Sequence, residues 1–166
     1  MPPTLTLLNS CGSEWKIQTT LPPPGAKATE LRRVSCTSPS ECTAVGSYTN
    51  SSGTVVTLAE RLSGSESKIE STPNPNGAKE SRLSGVSCAS ASSCSAVGFY
   101  KTGGGSPFLS FAENWDGKEW KLQTTENPLG ATKVQLLGVS CSATGACTAV
   151  GTYTNSASEM LSLAER

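Results

Sequence analysis

Apolar and polar positions alternate in short runs along this chain, and the runs return in the same order three times. Leu-x-x-Val-Ser-Cys, a five-residue link and Cys-x-Ala-Val-Gly-x-Tyr run from Leu31 to Tyr48 and from Leu83 to Tyr100. A third copy runs from Leu136, or Leu137 one residue closer, to Tyr153. The period is just over fifty residues, and Gly12, Gly64 and Gly117 mark the same turn in successive copies. Periodicity of this length is the signature of a repeat architecture, in which each unit buries its apolar face against the next.

Four strand signals fall in each period, each short, alternating and bounded by turn residues. Strand a is Leu31–Cys36, Leu83–Cys88 and Leu136–Cys141. Simple alternation puts Val34 with Cys36 on one face of it, and Leu31 with Ser35 on the other. Strand b is Cys42–Tyr48, Cys94–Tyr100 and Cys147–Tyr153; Ala44 and Gly46 on one face predict close approach of a neighbouring sheet. Strand c is Thr57–Leu62, Leu109–Trp115 and Leu161–Arg166. Strand d is Ser67–Glu70 and Trp120–Gln123, with an extra copy at Trp15–Gln18.

The links divide into two kinds. Those from a to b, b to c and c to d are short and rich in Gly, Ser, Asn and Asp, as in Asn50-Ser51-Ser52-Gly53, Gly103-Gly104-Gly105 and Asp116-Gly117-Lys118. The d-to-a link is longer and rich in Pro and Gly: Leu21-Pro22-Pro23-Pro24-Gly25, Asn74-Pro75-Asn76-Gly77 and Asn127-Pro128-Leu129-Gly130. Three tight hairpins and one longer crossing describe a four-stranded propeller blade. The expected fold is therefore all-β, with three blade equivalents in a single repeat domain, 1–166. Residues 1–20 make a partial blade of strands c and d, 21–71 the first repeat, 72–124 the second, and 125–166 a third that lacks its last strand. A β-trefoil, which closes with three four-stranded repeats, is the alternative; the tight hairpins and the Ala-Val-Gly strand weigh against it.

Val-Ser-Cys…Cys-x-Ala-Val-Gly…Leu-Ala-Glu-x-Trp-x-Gly-x-x-Trp resembles the repeats of secreted bacterial β-propeller proteins. It is similar in layout to the blades of photosystem-assembly and sialidase-type repeats. Trp115-Asp116-Gly117-Lys118-Glu119-Trp120 is the best copy, whereas the first repeat has Leu62 and Ser67 where these tryptophans stand. The resemblance covers nearly the whole chain and implies architecture far more than activity, because propellers host many functions.

Three blades are too few for a ring, since propellers usually have about four to eight. Two chains would make a six-bladed ring, or the chain is an arc of a longer propeller. The chain opens with a c-like strand, Thr4–Leu8, and the d strand beginning at Trp15, and stops after strand c at Arg166. The N-terminal d strand is thus expected to complete the last blade. Thr6-Leu7-Leu8-Asn9 has lost the pattern that Leu163-Ala164-Glu165 keeps, so the first nine residues are expected to be displaced.

Composition bears on the setting. The hydrophobic share is 36% and the aromatic share 5%, a thin core that benefits from covalent help. Seven cysteines in so short a chain point to an oxidising compartment, hence secretion or surface display. Met1-Pro2-Pro3-Thr4 has no signal-peptide character, so a leader is expected to have been removed or the chain to belong to a larger secreted protein. Thirteen basic and thirteen acidic residues leave no net charge, and no basic patch predicts nucleic acid. No apolar run is long enough to span a membrane.

Candidate chemistry is repeated with the strands. Cys36/Cys42, Cys88/Cys94 and Cys141/Cys147 flank antiparallel links at one spacing, which predicts one disulfide per repeat. Zinc is not expected, since each pair offers two thiols and the chain has no histidine. Cys11 is left over, either an incidental thiol or an intermolecular one. Glu60, Glu113 and Glu165 recur among apolar neighbours and predict structural acids bonded to backbone N–H groups of an adjacent repeat; a ring of acids around a cation is the sharper reading. Glycoside hydrolysis needs two carboxylates with different environments, and no such pair stands out. The arginines Arg32, Arg33, Arg61, Arg82 and Arg166 do not recur as a set. Lys27, Lys79 and Lys133 lie in the d-to-a links and are candidate contacts for an anion or acidic sugar. Trp15, Trp115 and Trp120 read as packing residues, with sugar stacking the alternative. Asn50-Ser51-Ser52 fits a glycosylation sequon. Without histidine, Ser-His-Asp and Cys-His catalysis are excluded within the chain.

These features predict a protein without catalysis or cofactor, a recognition or scaffold module for protein or carbohydrate ligands. It is expected to form a homodimer or to be completed by missing blades. The runner-up is an accessory or glycosidase-like propeller with its active residues in those blades. A purely structural, self-assembling surface protein is the third class.

Overall fold

The computed structural model describes residues 17–166, and every element in it is a strand. The first repeat is β1 (Ala28–Ser38), β2 (Glu41–Thr49), β3 (Val55–Ser63) and β4 (Glu66–Glu70), each antiparallel to the one before. The second repeats this order as β5 (Glu80–Ser90), β6 (Ser93–Lys101), β7 (Leu109–Trp115) and β8 (Trp120–Gln123). The third has three strands, β9 (Lys133–Ala143), β10 (Ala146–Thr154) and β11 (Met160–Glu165). The fold is all-β, and its sheets do not close on themselves.

Successive repeats stack face to face. A parallel bridge joins the start of β3 to the start of β5 at Val55 and Glu80, and its counterpart joins Phe108 to Lys133. The core lies between the repeats. Val45 and Ala59 of the first repeat meet Leu83, Val86, Ala96 and Phe111 of the second, all at most 8% exposed. Val97 of the second repeat, with Ala112 beside it, meets Leu136, Val139, Ala149 and Leu163 of the third. At both junctions a b-strand valine, Val45 or Val97, faces the following repeat, and an a-strand valine, Val86 or Val139, faces the preceding one.

Strand a does not follow simple alternation. A β-bulge after Leu31, Leu83 and Leu136 leaves one residue unpaired, so leucine and valine three positions apart point to the same face. Leu136 is therefore the repeat residue, opposite Gly151 and 1% exposed, while Leu137 is the bulged residue and is 41% exposed. The bulge also changes the reading of Gly46. A Cβ at Gly46, Gly98 or Gly151 would run into the carbonyl oxygen of Glu30, Arg82 or Gln135 in its own repeat, not into a neighbouring sheet. The close approach between repeats is at Gly85, whose added Cβ would lie 2.9 Å from the Cα of Gly138.

The d-to-a links share one turn. Gly25, Gly77 and Gly130 have φ near +70°, and the next residue's N–H returns to the carbonyl of Pro23, Pro75 or Pro128. A positive-φ glycine at the third place of such a turn is the signature of type II, with Pro24, Asn76 or Leu129 ahead of it. The predicted strand at Thr4–Leu8, the first half of the strand predicted at Trp15–Gln18, the displacement of the first nine residues and the role of Cys11 lie outside the described residues. Ile17 and Gln18, the second half of that predicted strand, are described and are not in a strand.

Candidate functional site

The three cysteine pairs are direct cross-strand partners closed as disulfides, each with Cα atoms 3.9–4.0 Å apart. They differ in burial: Cys94 is 3% exposed and belongs to the core between repeats, whereas Cys36 is exposed. By chain entropy each short loop contributes about 2 kcal/mol. Stepwise reduction with thiol labelling and mass spectrometry is expected to open Cys36–Cys42 first and Cys88–Cys94 last. These bonds fit an extracellular protein. No helix among the described residues is long and apolar enough to cross a membrane.

The repeated acids occupy equivalent positions in unlike surroundings. Glu60 accepts a 2.7 Å hydrogen bond from the Ser67 hydroxyl of its own repeat. Glu113 is fully buried, and neither carboxylate oxygen has a partner. Burial pushes its pKa up to about 8. Glu165 is raised by burial and by the charge of Glu126, with the Glu126 backbone N–H acting the other way. Glu126 lies in the link that opens the third repeat itself, so among the described residues none of the three acids takes the expected bond from a neighbouring repeat's backbone. Two substitutions account for Glu113. Trp120 stands where the first repeat has Ser67, and its indole N–H is given to Glu70 at 3.2 Å. Pro73, which has no N–H, stands where the following link has Glu126. Glu113 is sealed from solvent, so its raised pKa marks a structural acid and not a proton donor to a substrate.

Glu70 itself ties two repeats together. It accepts from Arg61 Nε at 3.1 Å as well as from Trp120, while Arg61 lies 5.1 Å over the Trp115 ring and donates to the Ala91 carbonyl. Trp120 is 4% exposed, and Trp115 packs against the core. Both are packing residues, as the sequence predicts, and neither offers a free face for stacking on a sugar.

A further polar surface lies at one end of the stack. The parallel bridges place the b-to-c loop of each repeat beside the d-to-a link of the next. Within a repeat, the link is fastened to the end of strand b by Lys27 N–H to Thr49 O, Lys79 N–H to Lys101 O and Thr132 N–H to Thr154 O. Lys27 and Lys79 are therefore equivalent and exposed, but Thr132 takes the third place and Lys133 begins β9. The three links are equal in length from glycine to leucine, so Thr132 simply replaces the lysine, and Lys133 stands at the position of Ala28 and Glu80.

Sequence reading missed the charged cluster at this end. Arg82 bonds Glu80 at 2.8 Å and approaches Glu30 of the preceding repeat at 3.8 Å, while Lys101 meets Glu80 at 2.9 Å. Arg32 joins through Glu30 at 3.0 Å. Burial works to raise the Glu80 pKa, but hydrogen bonds from Lys101 and Arg82 outweigh it and leave the group below its usual range. The adjoining loops are held by side chains: Asn50 Oδ1 accepts from Ser52 and Thr54, and Asn155 Oδ1 from Ala157 and Glu159. No protein-family profile, curated protein or solved structure matches this chain.

Proposed function

We propose that the chain is built of β-propeller-type blades and acts as a non-catalytic recognition and scaffold module, secreted or displayed at a cell surface. Its ligand, a protein or a carbohydrate, is taken on the link end of the stack. The observation that carries this reading is the contrast between frame and loops. Strands, bulges and link turns repeat with little change, whereas the neighbouring b-to-c loops read Asn50-Ser51-Ser52-Gly53, Thr102-Gly103-Gly104-Gly105 and Asn155-Ser156-Ala157-Ser158. Differing loops on a rigid, repeated support are where binding residues accumulate. Lys27 and Lys79 add exposed positive charge to this end, and among the described residues neither enters an ion pair.

A glycan array spanning neutral and acidic sugars, read with the labelled chain, tests the proposal. Binding to acidic glycans is expected, weakened roughly tenfold by the double change Lys27→Ala, Lys79→Ala, as befits two exposed charge contacts. Absence of binding to the array and to a panel of extracellular proteins, together with turnover of aryl glycosides, would overturn it.

A further inference from the structure

The two internal junctions show what an outer face of this stack is made to meet. In both, a b-strand valine of one repeat packs with an a-strand valine of the next: Val45 with Val86, and Val97 with Val139. In both, an a-strand serine hydroxyl accepts from a cysteine N–H of the next repeat, Ser35 from Cys88 at 3.0 Å and Ser87 from Cys141 at 2.9 Å. In both, a b-strand hydroxyl meets the next b-strand cysteine sulfur, Thr43 with Cys94 and Ser95 with Cys147.

The same positions are repeated at the ends. On the last repeat, Val150 is 52% exposed, and Ser140 and Thr148 are exposed beside it. On the first repeat, Val34 is 57% exposed and Cys36 is exposed. We propose that these two faces bind each other in a second copy of this chain, head to tail. Val150 then packs on Val34, Ser140 accepts from the N–H of Cys36, and Thr148 meets Cys42. Met160, 75% exposed, takes the bridging position of Val55 and Phe108, opposite Ala28.

Charge permits the docking. Where Arg82 approaches Glu30 across the first junction, the outer junction brings Glu30 to Gln135, an amide and not a like charge. A cleft of about 220 Å³ beside β11 is lined by Asn114, Gln123, Glu165 and Arg166. Gln18 lies at the opposite end of the stack, its side-chain amide donating to the Gly64 carbonyl at 3.0 Å. In sequence it corresponds to Glu70, which likewise reaches the following repeat. In the docked pair, Ile17, fully exposed, and Gln18 lie beside β11 opposite Glu165 and Ala164.

Two such junctions, related by a two-fold axis, close a pair of chains without leaving an open face. The inference rests on the blade reading of the fold and is independent of any ligand, so failure of the glycan array leaves it standing.

Light scattering after size exclusion is the test. The expected mass is about 34 kDa, twice the 17.1 kDa chain, constant over a wide concentration range. A single-chain mass at roughly 100 μM, or an open series that grows with concentration, overturns it. Val34→Lys and Val150→Glu alter exposed side chains, so each variant alone is expected to stay folded by circular dichroism and run as a monomer. Mixed, they are expected to recover the double mass, because one junction then pairs the introduced lysine with the introduced glutamate and the other is unaltered. Single variants that remain dimeric, or a mixture that remains monomeric, overturn the assignment of the faces.

Discussion

Glu113→Gln is expected to make the protein more stable at pH 7, by about 3 kcal/mol. The wild-type carboxyl is fully buried without a partner, and its pKa stands near 8 against 4.5 for the free group. The folded state therefore binds the proton more tightly than the unfolded chain. Below pH 4.5 both states are protonated and nothing is lost. As pH rises from there toward 8, stability falls by about 1.4 kcal/mol per unit, because folding must hold a proton that the unfolded chain has released. Glutamine keeps the shape and does not ionise. Urea denaturation of both proteins at pH 4, 5.5, 7 and 8 is expected to give curves that coincide at the lowest pH and separate steadily above it. Parallel curves would show that Glu113 has a partner or reaches water. The lowered pKa of Glu80 adds a contribution of the opposite sign, lost as pH falls, but it is common to both proteins and cancels in the difference.

Gly98→Ala is expected to destabilise the protein by roughly 3 kcal/mol or more. The added methyl would overlap the Arg82 carbonyl oxygen and lie 3.1 Å from the Cα of Leu83, so backbone and not a flexible side chain has to move. Leu83 is fully buried at the junction of the first two repeats, and moving its strand disturbs both. Gly104→Ala, in open space at a loop tip, is the matched control and is expected to change stability by less than about 0.5 kcal/mol. Equal midpoints in denaturant for the two variants would show that the bulge is free to relax.

The glutamates show where sequence reading stops. Glu60, Glu113 and Glu165 lie in one motif, and alternation places each on the inward face. What surrounds them comes from elsewhere: Ser67 on strand d meets Glu60 and Glu126 in the preceding link meets Glu165, while Trp120 and Pro73 at the matching positions give Glu113 nothing. The proline at position 73, in the link before the second repeat, removes the N–H donor of Glu113, and nothing near Glu113 in sequence records that. The charged cluster of Glu30, Arg82, Glu80 and Lys101 escaped for the same reason, since it assembles from two repeats and several strands.

The bulge left a trace that alternation overrode. Leucine and valine three apart, apolar in every copy, cannot share a face of a regular strand. An unpaired residue between them reconciles the pattern, and the glycine opposite the leucine admits the displaced carbonyl.

Strand order from the first repeat onward, hairpin links and cysteine pairing were readable from residue order, whereas the strand expected to run through Ile17 and Gln18 was not found. Each follows from local rules: a period of two, turn residues at element ends, and short loops that keep partners close. Which face each strand turns inward, which acid is left without a partner and which valines remain uncovered are set by stacking one repeat on another. Those outcomes depend on groups far apart in the chain, whose meeting is governed by the packing of whole sheets and not by any neighbour in sequence.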